Sequence, residues 1–423
     1  MVLLLAGFLL AFVYGVMVVR YRLFPYAAVE QVEEAVQWMV DRAPGNRSWY
    51  FQPTTRTEKA YAPRGERPDG LNLVSGMGSD NRLLLKVVDM VGELVHEWPV
   101  DWFDIWADAD HLPPDAVPKT RPGTHLPGTW LLPDGDILFN FEKQGTVRMG
   151  LCGEIRWRLP YQTHHAIHID DDGYIWLPGL KTNLKPMPDY PAHMVPIREQ
   201  TIIKVSQEGE ILEDISVFDL LRDNGYRALL HMRASPLSNT ISGDSLHLND
   251  VEVFPNSMQE GFFKHGDVLI SLRNINSVIV FDQVTHRIKL LKIGGFTRQH
   301  DPDFIDGNSI MLFDNNNIGP ERFGQQSRIL MLDASSNQLS VLYEGTKQDP
   351  FYTYILGKQQ LLDNGHMLIT DSMNGRAFEV NQDSEVVWEY INLVEEGVVG
   401  IVEGVTRLPA SYRQLFAAAA CGE

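Results

Sequence analysis

From about residue 70 onward, short apolar segments alternate with turns rich in Asp, Asn and Gly. Each apolar segment has the length of a β-strand, and a turn beside it predicts a hairpin. The clearest turn-and-strand pairs lie at residues 134–139, 171–177, 266–271, 306–312 and 363–369. Units that contain two such hairpins start near residues 70, 125, 164, 246, 299 and 353. Six four-stranded units of this period predict an all-β fold, a six-bladed β-propeller.

The predicted propeller spans residues 70–410, and residues 411–423 form a C-terminal tail. An apolar, strand-like segment at residues 400–408 is expected to close the ring by completing a blade. Two insertions, at residues 101–123 and 218–245, interrupt the repeat. Long loops in a propeller usually shape one mouth of the central channel, and we expect the same here.

The N-terminal segment is apolar without the interrupting turns of the repeat. Residues 2–19 form a continuous segment without a charge, and its length is about what a helix needs to cross a membrane. This segment predicts a transmembrane anchor over residues 1–22. Arg20 and Arg22 follow, and the positive-inside rule would then leave the rest of the chain in the cytoplasm. Apolar residues at helical spacing between residues 26 and 42 predict a short amphipathic helix within a linker region, residues 23–69.

The composition excludes some functions. A net charge of −19 argues against a nucleic-acid partner, because a phosphate backbone selects basic surfaces. It does not exclude a small anionic substrate, since a few local cations can outweigh the average field. Cys152 and Cys421 form neither a disulfide framework nor a zinc motif, and the sequence leaves open whether they pair.

Three histidines occupy equivalent positions in neighbouring repeats. His165 precedes the turn glycine of its unit by eight residues, His300 precedes that of its unit by seven, and His247 precedes the corresponding Pro255 by eight. In a propeller these positions lie where the innermost strands begin, around one end of the channel. We therefore expect the three side chains to converge, with His164 as an alternative to His165. His168 is expected to be structural.

Arg273 directly follows the strand at residues 267–272, in the same unit as His247. Its guanidinium group is suited to bind two oxygens of a sulfate or phosphate, although a surface ion pair is an alternative. Residues 314–317 occupy the matching place in the next unit, where the amide side chains can also be explained as turn residues.

These residues carry a resemblance to a known family. The bacterial PAPS-independent arylsulfotransferases have a similar series of short motifs in the same order, matched here by His164-His165 and by residues 246–250, 269–273, 299–301 and 313–315. The similarity covers roughly residues 71–392. The family consists of periplasmic six-bladed propellers that move a sulfuryl group from an aryl sulfate to a phenol without a nucleotide donor.

The resemblance implies a role for each matching residue. His300 would be the nucleophile that accepts the sulfuryl group, and His247, Arg273 and His164 or His165 would hold its oxygens. It implies small aryl sulfate and phenol substrates, no cofactor and no metal, and a periplasmic propeller. The family's N-terminal β-domain is not evident here, and the spacing from Arg273 to His300 is short, which suggests trimmed loops.

Two other functions remain as alternatives. A metal-dependent propeller hydrolase would use the imidazoles and carboxylates as ligands, drawn from His164, His165, His168, Asp170, His247, His300, Asp301 and Asp303. A non-catalytic scaffold would instead use the membrane anchor and bind a membrane protein or further copies of this chain.

Overall fold

The computed structural model describes residues 2–21, 48–62, 69–114, 116–319, 325–347, 349–418 and 421. The chain divides into two compact units, Met1–Phe51 and Gln52–Glu423. The first contains helix α1 (Val2–Tyr21). Over the described part of the chain, no helix is both long and apolar enough to cross a membrane, so the anchor predicted at residues 1–22 finds no support. The amphipathic helix predicted between residues 26 and 42 lies outside the described residues.

The second unit consists mainly of short β-strands. In chain order, the described strands are β1 (Phe51–Pro53), β2 (Ala60–Tyr61), β3 (Leu71–Met77), β4 (Leu83–Asp89), β5 (Leu94–Glu97), β6 (Thr129–Leu131), β7 (Ile137–Phe141), β8 (Gly145–Met149), β9 (Ile155–Leu159), β10 (His168–Ile169), β11 (Ile175–Asn183), β12 (Ile197–Val205), β13 (Ile211–Ser216), β14 (Leu248–Val253), β15 (Asp267–Leu272), β16 (Ser277–Asp282), β17 (Ile288–Ile293), β18 (His300–Asp306), β19 (Ser309–Asp314), β20 (Arg328–Asp333), β21 (Gln338–Glu344), β22 (Lys358–Leu361), β23 (Met367–Asp371), β24 (Arg376–Val380), β25 (Val386–Ile391), β26 (Leu393–Glu395), β27 (Val398–Gly400) and β28 (Val402–Leu408).

In the described residues most of these strands build six antiparallel sheets of four or five strands, and β26 pairs with β27 in a further, smaller sheet. We number them by their strand orders: sheet 1 is β28-β3-β4-β5, sheet 2 is β6-β7-β8-β9, sheet 3 is β10-β11-β12-β13, sheet 4 is β14-β15-β16-β17, sheet 5 is β18-β19-β20-β21, and sheet 6 is β2-β25-β24-β23-β22. The six sheets correspond to the six predicted units. The short outer strand β2 was not predicted.

Local turn chemistry explains why the chain reverses where it does. Between β10 and β11, one carboxylate oxygen of Asp170 accepts hydrogen bonds from the backbone N–H groups of Asp172 and Tyr174. Gly173 in the same turn has a φ of +83°, a left-handed conformation that glycine adopts without the steric cost of a side chain. Gly365 has a φ of +76° in the equivalent turn of sheet 6.

Apolar side chains are buried between neighbouring sheets. One such core contains Trp388 and Tyr390 of sheet 6 together with Val88 and Val405 of sheet 1. Another combines residues of sheets 3 and 4, and a third those of sheets 4 and 5. Since a single four-stranded sheet cannot cover both of its own faces, this mutual burial holds the sheets together.

The last strand returns to an early strand in sheet 1. Strand β28 pairs antiparallel with β3, from Val402 opposite Gly76 to Leu408 opposite Leu71, which confirms that the segment at residues 400–408 completes the first sheet. The innermost strands β14, β18, β22 and β28 follow one another side by side. The result is a propeller-like all-β fold with inner strands around a common axis.

Further connections lie at the ends of the sheets. The two predicted insertions contain helices α2 (Trp102–Ile105) and α3 (Val217–Asp223). Helix α4 (Tyr412–Ala418) follows the last strand, and a disulfide joins Cys152 to Cys421, which answers the question that the sequence left open.

Candidate active site

The structure brings the predicted histidines together at one end of the axis. The ring centroid of His165 lies 5.0 Å from that of His247 and 6.1 Å from that of His300, and the His164 ring lies 5.1 Å from that of His165. All four side chains are buried. They come from the starts of sheets 3, 4 and 5, so the expected convergence occurs.

The backbone at two of these histidines is in an unusual conformation. His165 has a φ of +54° and His247 a φ of +57°, values in the left-handed region that residues with a side chain seldom adopt. The surroundings hold both: Asn140 Nδ2 donates to the carbonyl oxygen of His165 at 3.0 Å, and the N–H of His247 donates to Asp244 Oδ1 at 2.9 Å. Such strain is often retained at functional sites.

His300 is presented with one ring nitrogen held and the other free. Asn315 Nδ2 donates to the carbonyl oxygens of Thr353 and Leu356, so Asn315 Oδ1 is left as an acceptor and receives a hydrogen bond from His300 Nδ1 at 2.6 Å. His300 Nε2 is buried and has no hydrogen-bond partner in the described structure. Burial and the nearby charge of Arg273 lower the pKa of His300 to about 3, so the ring is neutral near pH 7.

His247 is paired with a carboxylate. Its Nδ1 donates to Asp244 Oδ2 at 2.5 Å, and its Nε2 lies 3.4 Å from His165 Nε2. Burial opposes ionisation of Asp244, but the hydrogen bond from His247 and nearby positive charges outweigh it and lower the pKa of Asp244 to about 2. A carboxylate on Nδ1 orients the ring and directs Nε2 toward the cluster.

His164 and His165 both belong to the cluster, because β10 begins only after them, at His168. Their Nδ1 atoms lie 3.0 Å apart, and Glu142 Oε2 lies 3.4 Å from His165 Nδ1. Burial lowers the pKa of His164 to about 4. His168 lies elsewhere, packed edge-on against Trp130 with ring centroids 5.7 Å apart.

Arg273 begins a single 3-10 turn directly after β15. Burial and the charge of Arg298 lower its pKa to about 10, and its Nε atom is buried without a hydrogen-bond partner. Among the described ion pairs none involves Arg273, so the alternative of a surface ion pair finds no support. A half-buried guanidinium group without an ion-pair partner is suited to receive an anion.

A small cavity adjoins the cluster along the axis. Its lining includes His165, His300, Leu356, Lys358 and Glu403. Asp301, which the metal hypothesis uses, also lines this cavity, and its carboxylate accepts hydrogen bonds from Lys358 Nζ at 3.3 Å and from the N–H of Gln359. The carboxylate of Asp303 likewise accepts from Gln359.

Three partners of the cluster received no role from the sequence: Glu142, Asp244 and Asn315. Asn315 belongs to the motif at residues 313–315 and to the tract at residues 314–317, which matches the position of Arg273 but can also be explained by turn chemistry. Asp244 lies three residues before His247, a spacing that would have allowed a local hydrogen bond. No sequence signal pointed to Glu142, which follows the end of β7.

One comparison with a solved structure, with a TM-score above 0.5, supports the overall fold. A protein of unknown function from Bacteroides caccae covers 81% of this chain and 99% of its own, with a TM-score of 0.51 and 14% identity. A streptogramin B lyase covers 86% of this chain and 100% of its own, with a TM-score of 0.41 and 11% identity. A chain of a nidogen/laminin complex has a TM-score of 0.45 and 8% identity over 81% of this chain and 99% of its own.

Sequence comparison is more informative about the family. No curated protein sequence matches the chain significantly. The family description Arylsulfotransferase (ASST) matches residues 128–393, more than half of the chain, and this segment contains all four histidines and Arg273. The resemblance seen in the short motifs is thereby confirmed, and the chain belongs to the arylsulfotransferase family.

Proposed function

We propose that this protein transfers a sulfuryl group from an aryl sulfate to a phenol through a covalent intermediate on His300. The observation that carries the proposal is the state of His300: a neutral ring, Nδ1 held by Asn315, and a buried Nε2 without a partner. A nucleophile needs a free electron pair, and hydrogen bonding at Nδ1 leaves that pair on Nε2.

In the first step, Nε2 of His300 attacks sulfur, the bond between sulfur and the aryl oxygen breaks, and the phenolate leaves with the electron pair. Negative charge spreads over the sulfuryl oxygens in the transition state. The guanidinium group of Arg273 and the imidazole N–H groups of His164 or His165 are the donors that would stabilise it.

In the second step, the acceptor phenol attacks the sulfur of the intermediate. Nε2 of His247 takes the phenol proton, Asp244 stabilises the resulting imidazolium, and the sulfur–nitrogen bond breaks and returns its electron pair to His300. Two half-reactions through one intermediate give ping-pong kinetics. All groups required belong to the chain itself, so we propose that no cofactor takes part.

We also propose that the protein works in an oxidising compartment such as the periplasm. Family membership favours that location, and the disulfide between Cys152 and Cys421 belongs to such an environment, because thiols are kept reduced in the cytosol.

The test is release of nitrophenolate from 4-nitrophenyl sulfate in the presence of phenol. We expect His300→Ala to lose transfer by at least about a thousandfold while the fold is retained, since its nucleophile is gone. The wild type, mixed with donor alone, should gain the mass of one sulfuryl group at His300. His265→Ala is the matched control, because His265 is exposed in the loop between β14 and β15. Full activity of His300→Ala would refute the proposed mechanism.

A second candidate function rests on one specific observation. Glu142, His164 and His165 offer ligand atoms that all lie within 4.8 Å of one another, as a metal ion would require. A metal-dependent hydrolase would bind its ion there. Elemental analysis of purified protein separates the two functions: stoichiometric zinc or manganese that is lost in Glu142→Gln favours the hydrolase, and metal-free protein that is fully active favours transfer by His300.

A further inference from the structure

Three arginines lie near the sulfuryl-binding end of the axis without acidic partners. Arg273 follows β15, Arg298 lies two residues before His300, and Arg233 belongs to the insertion at residues 218–245. Among the ion pairs of the described residues, none involves any of these three. In a chain with a net charge of −19, unpaired cations at one place require an explanation.

Asn274 links two of them. Its Oδ1 accepts a hydrogen bond from Arg298 Nη1 and lies 3.5 Å from Arg273 Nη2, so a single amide oxygen connects both guanidinium groups. The Nδ2 of the same side chain donates to the carbonyl oxygen of Asp244 at 2.7 Å. Asn274 is therefore oriented by the insertion that also supplies the partner of His247.

The backbone holds Arg298 in place as well. Arg298 has a φ of +62°, and its N–H donates to Asn276 Oδ1 at 3.0 Å. Asn276, also left-handed, closes the turn that begins at Arg273. The side chain of Arg298 is half-buried and that of Arg233 is exposed, so the cations run from the cluster toward solvent.

The electrostatics agree with this geometry. Arg298 lowers the pKa of Arg273, and burial together with Arg233 lowers the pKa of Arg298. Each positive charge thus makes the charged form of its neighbour less favourable. An anion that lies between the guanidinium groups relieves this repulsion. One sulfuryl group can be held by Arg273 alone, which leaves Arg298 and Arg233 for a second anionic group.

We propose that Arg298, oriented by Asn274, and Arg233 form a second anion-binding position beside the sulfuryl site. The substrates would then be aromatic sulfates or phenols that carry a further carboxylate or sulfonate. This inference rests on the proposed function for the identity of the first anion. The second anion would bind to the two fork-shaped guanidinium groups, a geometry that matches carboxylate oxygens.

The experiment measures binding to the full-length protein by calorimetry, with two ligands that cannot transfer a group. Benzenesulfonate mimics the sulfuryl end alone, and 4-sulfobenzoate adds the second anion. We expect the wild type to bind 4-sulfobenzoate about tenfold to a hundredfold more tightly, the range of a charge-assisted contact. Arg298→Gln should abolish this preference, and Arg298→Lys should retain part of it.

Arg287→Gln is the matched control. Arg287 is exposed in the turn between β16 and β17 of sheet 4, at the opposite end of that sheet from Arg273. Its substitution changes the net charge by the same amount as Arg298→Gln. It should keep the preference. Equal affinities in the wild type, or an unchanged preference in Arg298→Gln, would overturn the inference.

The same data distinguish this inference from the proposed function. Suppose that the preference is present and depends on Arg298, but neither 4-nitrophenyl sulfate nor 4-carboxyphenyl sulfate is turned over. The second anion-binding position is then supported and sulfuryl transfer is refuted. If transfer occurs and both sulfonates bind equally, transfer is supported and the second position is refuted. If neither sulfonate binds and neither sulfate is turned over, both are wrong.

Discussion

At the scale of single residues, the partner of each imidazole determines what its free nitrogen can do. Asn315 presents an acceptor to His300 Nδ1, and Asp244 presents a carboxylate to His247 Nδ1. Burial and the charge of Arg273 lower the pKa of His300 and keep its ring uncharged, as a nucleophile requires. Burial also lowers the pKa of His247, but there the carboxylate of Asp244 acts in the opposite direction and favours the charged form. Two histidines of the same cluster are thereby suited to different tasks.

This difference predicts the effect of Asp244→Asn. Asparagine keeps the shape and can still accept from the N–H of His247, but it no longer stabilises an imidazolium. We expect the initial burst of nitrophenolate to be retained and the steady-state rate with phenol to fall by about a hundredfold, because only the second step needs the base. Rapid-mixing kinetics with 4-nitrophenyl sulfate measure both phases.

The matched control is Asp223→Asn, since Asp223 lies in the same insertion and pairs with Arg222 on the surface. It should leave both phases unchanged. If Asp244→Asn lowered burst and steady-state rate equally, Asp244 would be needed for the site as a whole and not for proton transfer.

At the scale of elements, strand β28 does more than complete sheet 1. It carries Glu403, whose carboxylate receives a hydrogen bond from His125 Nδ1 at 2.7 Å and another from the N–H of Leu126 at 3.2 Å. His125 and Leu126 precede β6, so this one carboxylate connects sheet 1 to the start of sheet 2. Burial alone would lower the pKa of His125, but the charge and hydrogen bond of Glu403 outweigh it and raise that pKa.

This connection predicts a pH-dependent loss of stability in Glu403→Gln. Because the pKa of His125 is raised in the folded protein, its ion pair with Glu403 contributes its full stabilisation of the fold below the ordinary histidine pKa of about 6.5. This stabilisation is lost as the pH rises through the raised pKa. We expect the free energy of unfolding to fall by about 3 kcal/mol at about pH 6 and by less at about pH 9.

Urea denaturation of the wild type and of Glu403→Gln at both pH values measures this loss of stability. Glu208→Gln, at an exposed turn between β12 and β13, should change stability little at either pH. An equal loss for Glu403→Gln at the two pH values would mean that the charged pair contributes nothing beyond a neutral hydrogen bond.

At the scale of the whole molecule, the propeller-like unit is closed by contacts between distant parts of the sequence. Strand β28 pairs with β3, and the disulfide then joins Cys421 to Cys152, 269 residues away along the chain. The disulfide lies beyond the last strand, so it fastens the C-terminal tail to sheet 2 without contributing to the histidine cluster.

The role of the disulfide can be tested by removing it. We expect the free energy of unfolding of the Cys152→Ser/Cys421→Ser double variant to be lower by roughly 2–4 kcal/mol, because the unfolded chain is no longer cross-linked. The rate of transfer at low temperature should be unchanged. Reducing agent should lower the melting temperature of the wild type to that of the variant and leave the variant unaffected. Equal melting temperatures of wild type and variant without reductant would contradict this.

The sequence alone determined the repeat. Alternating apolar positions and Asp, Asn and Gly turns are local signals, since strand period and turn geometry depend on neighbouring residues, and six sheets appear where six units were predicted. The equivalent positions of His165, His247 and His300 also followed from the repeat, because identical places in radially arranged sheets must face one axis.

Only the tertiary structure decided which groups meet. The pairing of Asn315 with His300, of Glu142 with His165 and of Cys152 with Cys421 depends on how separate sheets are placed, which no local pattern encodes. The membership of both His164 and His165 in the cluster depends on a left-handed turn before β10, not on strand alternation. Side-chain contacts across sheets result from packing of the whole ring, and that packing set the protonation states on which the chemistry relies.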